Sequence, residues 1–293
     1  MTGREVAEAA QLACLLEASA PKPGNVSPGR HFADARYEHF LASAVAIGEP
    51  LAGAAERPLG ETIRRAVDAT SRWTSSNTNL GIALLLVPLA RAAGVRPQRR
   101  ADSSLQILRT AVREVLESTT VDDAKNVYAA IRLARPGGLG QTGEQDVAAE
   151  PTVTLLEAMR LAADRDGIAR EYATAFETTF AVGAPALRAA RAAGLFWDDA
   201  VVETFLTILA AAPDTHIVRR GGAEAAAEVS NRARAVLDAG GVRSSQGRRA
   251  LDAMDLALRD AANTANPGTA ADLTAAAILV ELLDGGWNAD GSR

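Results

Sequence analysis

Lysine is nearly missing from this 293-residue chain: Lys22 and Lys125 are its two copies, and arginine supplies the other positive charges. Cysteine occurs once, as Cys14 in an apolar stretch, which excludes an intramolecular disulfide and gives no sign of an oxidising compartment. Aromatic residues make up only 4%, and strand-favouring residues are thin outside a few valines, so almost no sheet is expected. A formal charge of -5 without a basic block excludes the concentrated cationic face that nucleic-acid binding needs. No apolar run reaches the roughly 18 residues of a membrane span, and the opening Met1-Thr2-Gly3-Arg4-Glu5 does not read as a secretory signal. The expectation is a cytoplasmic protein that engages neither membrane nor nucleic acid.

What the chain does contain is alanine, leucine and arginine at helical spacing, with 48% apolar residues to form a core. The period predicts helices over Glu5 to Ala18, Tyr37 to Ile47, Thr62 to Trp73, Leu80 to Ala93, Leu105 to Leu116 and Ala124 to Ala134. It continues over Val153 to Ala163, Ile168 to Phe180, Ala184 to Ala193, Ala200 to Ala211, Ala223 to Leu237, Arg248 to Ala262 and Ala270 to Leu283. No linker divides them, and the longest irregular stretch, Pro136 to Thr152, is too short for a domain joint. The fold class expected is all-α, a single domain over residues 1 to 293 built as a bundle of about a dozen helices.

Five connections hold more Asn, Asp, Gly, Pro and Thr than turning a chain requires. In the first, Pro21 and Pro23 clamp Lys22 beside Gly24 and Asn25, a rigid mount for one ammonium group suited to phosphate; a solvated loop lysine is the plain alternative. His31 and Asp34 follow, three apart, and on a helical turn they would pair as histidine and carboxylate. The second, Asn77-Thr78-Asn79-Leu80-Gly81, precedes an apolar helix; a cap accounts for one of these side chains, and the rest suit phosphate or ribose. The third runs from Pro136 to Asp146 and contains G-x-G-x-x-G at Gly138, Gly140 and Gly143, but a helix precedes it where a dinucleotide site needs a strand. Its acids, Glu144 and Asp146, separated by Gln145, suit a divalent cation that carries phosphates. The fourth places Asp214 ahead of Arg219 and Arg220, a phosphate clamp oriented by the acid, or simply two arginines in an arginine-rich chain. In the fifth, Thr269 and Asp272 have the spacing of a capping box, yet Leu273, Ala276 and Leu279 would turn Asp272 inward, where a carboxylate needs a partner.

Together these motifs resemble the triphosphoribosyl-dephospho-coenzyme A synthase family nearly end to end. The second motif departs from the Asn-Thr-His-Lys-Gly known there, carrying Asn79 and Leu80 in place of His and Lys, which marks a divergent branch. The resemblance implies an all-α transferase that takes ATP as substrate, with Mg²⁺. It joins C1′ of the ATP ribose to the 2′-hydroxyl of 3′-dephospho-coenzyme A, or of a related acceptor, and releases adenine. It assigns catalysis to Glu144, Asp146, His31 and Asp34, and the metal or the developing cation to Glu144, Asp146 and Asp272. ATP and acceptor contacts fall to Lys22, Asn25, Asn77, Thr78, Asn79, Gly138, Gly140, Gln145, Arg219, Arg220 and Thr269. A homodimer is compatible with the chain. Competing readings are a magnesium-dependent all-α nucleotide or ADP-ribosyl glycohydrolase, a phosphoribosyl-type transferase serving pterin cofactor synthesis, and a nucleotide-binding regulator without turnover.

Overall fold

The computed structural model describes residues 1–95, 104–140, 142–260 and 262–287. Within them the chain forms fifteen α-helices and no named strand. The first half holds α1 (Gly3–Ser19), α2 (Tyr37–Ala46), α3 (Gly48–Ala52), α4 (Leu59–Ser71), α5 (Leu80–Val95), α6 (Ser104–Glu117) and α7 (Val121–Ala134). The second holds α8 (Leu155–Ala162), α9 (Gly167–Thr174), α10 (Ala184–Ala192), α11 (Trp197–Ala211), α12 (Thr215–Gly221), α13 (Ala223–Asp238), α14 (Ser245–Leu258) and α15 (Gly268–Leu283). The all-α expectation is met.

Two helices form the centre because they are apolar on every side, a composition that only full burial accommodates. In α15 every residue from Thr269 to Leu283 except Asp272 is buried, and in α5 burial is continuous from Ile82 to Ala90. They pack on each other, and α1 packs against both. The outer helices are amphipathic and start on side-chain caps that satisfy their first free N–H groups: Thr2, Thr120 and Thr154 in capping boxes, and Asp166, Asp214 and Ser244 as single caps.

The structure departs from the periodic reading where side chains override it. The helix expected over Ile168 to Phe180 stops at Thr174, because Ala175 and Phe176 have positive φ and the Glu171 carboxylate accepts from the N–H groups of Thr178 and Thr179. A π-helical turn, Thr179–Gly183, then leads into α10. The segment Asp214 to Gly222, expected as a connection, is the helix α12 capped by Asp214. Of the helix expected over Arg248 to Ala262, α14 supplies the part to Leu258; Ala261 lies outside the described residues. The capping box expected at Thr269 and Asp272 is absent: α15 has no side-chain cap from its own first residues, and its Ala270 N–H is taken by Asp214 Oδ2 at 2.7 Å.

Candidate active site

Lys22 does not offer its ammonium to a ligand. The two prolines turn the chain back under the end of α1, and the side chain is 0% exposed. Nζ pairs with Glu17 Oε1 at 2.9 Å and also donates to the carbonyls of Glu17 and Ala20. An ammonium with three acceptors in a dry site is satisfied there and has no donor left for phosphate. His31 and Asp34 lie on irregular chain, so the expected helical pair does not form; His31 is exposed, and its Nδ1 accepts from the Tyr37 N–H at 3.3 Å. Asn25 is buried, with its carbonyl held by Arg259 Nη2 at 2.7 Å. Thr269 spends its hydroxyl on Thr215 and on the His216 N–H. None of Lys22, Asn25, His31 and Thr269 reaches the large cavity described next.

That cavity measures ≈ 1770 Å³, opens to solvent, and is lined by the end of α4, the start of α5, α7 with the glycine-rich loop after it, α8, the start of α9, α12, and the approach to α15. Twelve of the sequence-derived residues line it: Asp34, Asn77, Thr78, Asn79, Gly138, Gly140, Glu144, Gln145, Asp146, Arg219, Arg220 and Asp272. His216 and Asn266, which belong to the fourth and fifth of the polar connections, line it as well. So do Arg132, Arg135, Arg165 and Asp166, of which only Asp166, an acid directly before Gly167 and an apolar helix, carried a local signal, that of a cap.

The lining residues differ in how free they are. Asn77 Oδ1 caps Leu80 N at 3.2 Å, Thr78 bonds Ser43 at 2.5 Å, and Asn79 Nδ2 donates to Thr70 Oγ1 at 2.5 Å. Leu80, the other departure from the family motif, is 7% exposed within the core. Gly138 and Gly140 take φ of 77° and 68°, which lets the loop double back with its backbone exposed to the cavity. Asp146 organises that loop by accepting from Thr142 N at 2.7 Å and Ala148 N at 2.8 Å, and these N–H bonds, Ala148 first, hold its carboxyl below the usual range. Glu144 is exposed, with no side-chain hydrogen bond among the described residues.

Among the described residues the Asp272 carboxyl has no hydrogen bond and no ion pair, although it faces the cavity from the deeply buried helix α15. Burial, then the nearby charges of Glu17 and Asp214, push its carboxyl well above the ordinary range. A Cβ on Gly81 would collide with its Oδ2, so the missing side chain there makes the room Asp272 occupies. Arg219, expected to be oriented by Asp214, instead pairs through Nη1 with Asp166 Oδ2 at 2.5 Å, because Asp214 gives both oxygens to the backbone at the starts of α12 and α15. His216 is held neutral near pH 7: burial, then Arg219 and Arg220, lower it to about 4. Arg135 and Arg165 reach the cavity with no hydrogen bond or ion pair among the described residues.

The expected metal centre is not assembled. Among the described residues no group of three or more His, Cys, Asp and Glu stands close enough to hold a metal ion. Glu144, Asp146 and Asp272 therefore do not form one centre, and Asp146 is committed to its own loop.

Comparison with known proteins places this geometry. The 2-(5″-triphosphoribosyl)-3′-dephosphocoenzyme-A synthase inferred in Azotobacter vinelandii is 31% identical over 234 residues, 78% of this chain and 70% of that protein. The counterpart inferred in Pseudomonas syringae pv. tomato is 39% identical over 117 residues, and the matched stretch spans about two fifths of each chain, 40%. A crystal structure from Archaeoglobus fulgidus, described by inference as a triphosphoribosyl-dephospho-CoA synthase, superposes with a TM-score of 0.64 at 29% identity, covering 85% of this chain and 100% of that one. The sequence profile of the ATP:dephospho-CoA triphosphoribosyl transferases matches residues 3–291, nearly the whole chain: the chain belongs to this family.

Proposed function

We propose that the chain, acting as one catalytic unit, transfers the triphosphoribosyl group of ATP to the ribose 2′-hydroxyl of 3′-dephospho-coenzyme A and releases adenine. The carrying observation is the partnerless carboxyl of Asp272, in a cavity larger than the about 300–1,000 Å³ that one small ligand needs. Two nucleotide-sized substrates are the kind of load such a volume suits. The C1′–N9 bond of ATP breaks, a C1′–O2′ bond forms, and the proton of the acceptor hydroxyl ends on the departing adenine, so the reaction consumes no water. The anomeric carbon passes through an oxocarbenium-like state, and a carboxylate beside it lowers that barrier. Burial holds the Asp272 carboxyl above its ordinary range, which makes it a stronger proton acceptor than a solvated carboxylate, so Asp272 serves as acceptor of the hydroxyl proton and as neighbour of the cation. Arg135, Arg165 and Arg220 line the same cavity as the glycine-rich loop and would take the triphosphate.

Mg²⁺ enters this reading only as the counter-ion that ATP brings, since a cation bound to phosphates needs one or two carboxylates, and the exposed Glu144 in the cavity lining is a candidate for one of them. Among the described residues no single helix is long and apolar enough to cross a membrane, and dependence on ATP fits the cytoplasm. The test is chromatographic detection of adenine from ATP and Mg²⁺ with and without 3′-dephospho-coenzyme A. Adenine that appears only with acceptor supports the transfer; equal release without acceptor replaces it by hydrolysis.

A further inference from the structure

Among the described residues four buried side-chain polar atoms lack a hydrogen-bond partner: Ser27 Oγ, His216 Nε2, Arg219 Nε and Asn266 Oδ1. The last three belong to residues that line the cavity. A buried polar atom without a partner is destabilising and native proteins keep few of them, so three in residues that line one cavity mark a place where a ligand completes the bonding.

The three groups are also held in place from behind. The His216 N–H donates to Asp214 Oδ1 and Thr269 Oγ1, and its ring lies against Gly268, where a Cβ would stand 3.2 Å from the ring's Cγ and Nδ1. Arg219 is anchored through Nη1 on Asp166, while its Nε is buried without a partner. Asn266 is fixed by its own carbonyl, which accepts from Gly268 N at 2.9 Å.

The chemistry of the wall selects the ligand. A phosphate would satisfy the guanidinium but not the amide oxygen of Asn266, and the carboxyls of Asp166, Asp214 and Asp272, all within electrostatic reach of Arg219, would repel it. An amide acceptor, a guanidinium N–H and a neutral imidazole together match a planar heterocycle that carries an amino donor beside ring-nitrogen acceptors. Adenine has that pattern, and an asparagine amide pairs with its N6 and N7 in two bonds.

We propose that His216, Arg219 and Asn266 form the subsite for the adenine base of ATP, an inference that rests on the proposed transfer. The base then sits beside Asp272, and the triphosphate extends toward Arg135 and Arg165. When the C1′–N9 bond breaks, its electron pair passes into the purine ring, and the N–H donors of this wall stabilise that charge until the acceptor's proton neutralises it.

Calorimetric binding of ATP and ITP without acceptor tests the subsite, because the two carry the same phosphates and differ only in the base. The unmodified protein should prefer ATP by about 5- to 150-fold, the range of one two-bond amide contact. Asn266→Ala should erase that preference while leaving ITP binding unchanged. Arg219→Lys, which keeps a cation beside Asp166 but removes the Nε–H, should weaken ATP several-fold. ITP binding controls for folding in both variants. Equal binding of ATP and ITP by the unmodified protein, or a preference that survives both substitutions, overturns the subsite. A preference lost in Asn266→Ala in a protein that releases no adenine keeps the subsite and removes the transfer instead.

Discussion

Replacing Lys22 by methionine should destabilise the protein and leave its affinity for ATP almost unchanged. Lys22 is fully buried and Glu17 is 6% exposed, so the substitution strands a carboxylate in a site with no water to replace the ammonium. Breaking a buried pair from one side costs about 3–5 kcal/mol. At about 2 °C per kcal/mol for a chain of this length, the melting temperature should fall by about 6–10 °C. Glu17 also acts on Asp272 electrostatically, so the stranded carboxylate has an unfavourable neighbour. Adding Glu17→Leu to Lys22→Met should restore most of the loss, since an apolar pair of similar volume replaces a buried ion pair at little cost. Thermal melting by circular dichroism, with KM for ATP measured well below the transition, separates this role from a phosphate contact. A Lys22→Met protein that melts within about 1 °C of the parent but shows a tenfold higher KM for ATP would refute the structural role.

Asp272→Asn should abolish acceptor-dependent adenine release by about 100-fold or more, the range of one positioned acid-base group. It should also raise the melting temperature at alkaline pH: a carboxyl whose folded pKa is raised stabilises only while protonated, below its unfolded value near 4, and that stability is lost as pH rises through the folded value, a loss the amide does not suffer. Melting curves recorded from about pH 4 to about pH 9 check the sign, and a variant that loses stability at alkaline pH would contradict it. Arg135→Ala and Arg165→Ala should each raise KM for ATP about tenfold or more, the loss of one charge-assisted contact, with unchanged melting because neither side chain bonds to the protein; an unchanged KM in both would move the triphosphate elsewhere. Gly81→Ala should fold, since the atom it meets is the end of a side chain, but should lose transfer by displacing the Asp272 carboxyl, which activity and helical content measured on one sample would show.

Most helices were legible because the signal for a helix is local: apolar residues three and four apart, a cap at the start, and no alternation over two. The inward turn of Asp272 was legible for the same reason, since Leu273, Ala276 and Leu279 set the face of α15 on which it lies. The glycine-rich loop and the Asn77 segment were found because their composition exceeds what a turn needs, and both line the cavity. Where each charge ends is another matter. Lys22 turns inward because Glu17 and the last carbonyls of α1 wait there, Arg219 pairs with Asp166 from 53 residues away, and Asp214 bonds Ala270 across 56. Arg165, in none of the five connections, joined the site only when the tertiary structure brought it to the same cavity. Periodicity along a chain encodes which face of a helix is buried, whereas the partner of a polar atom depends on distances between helices that local spacing does not contain.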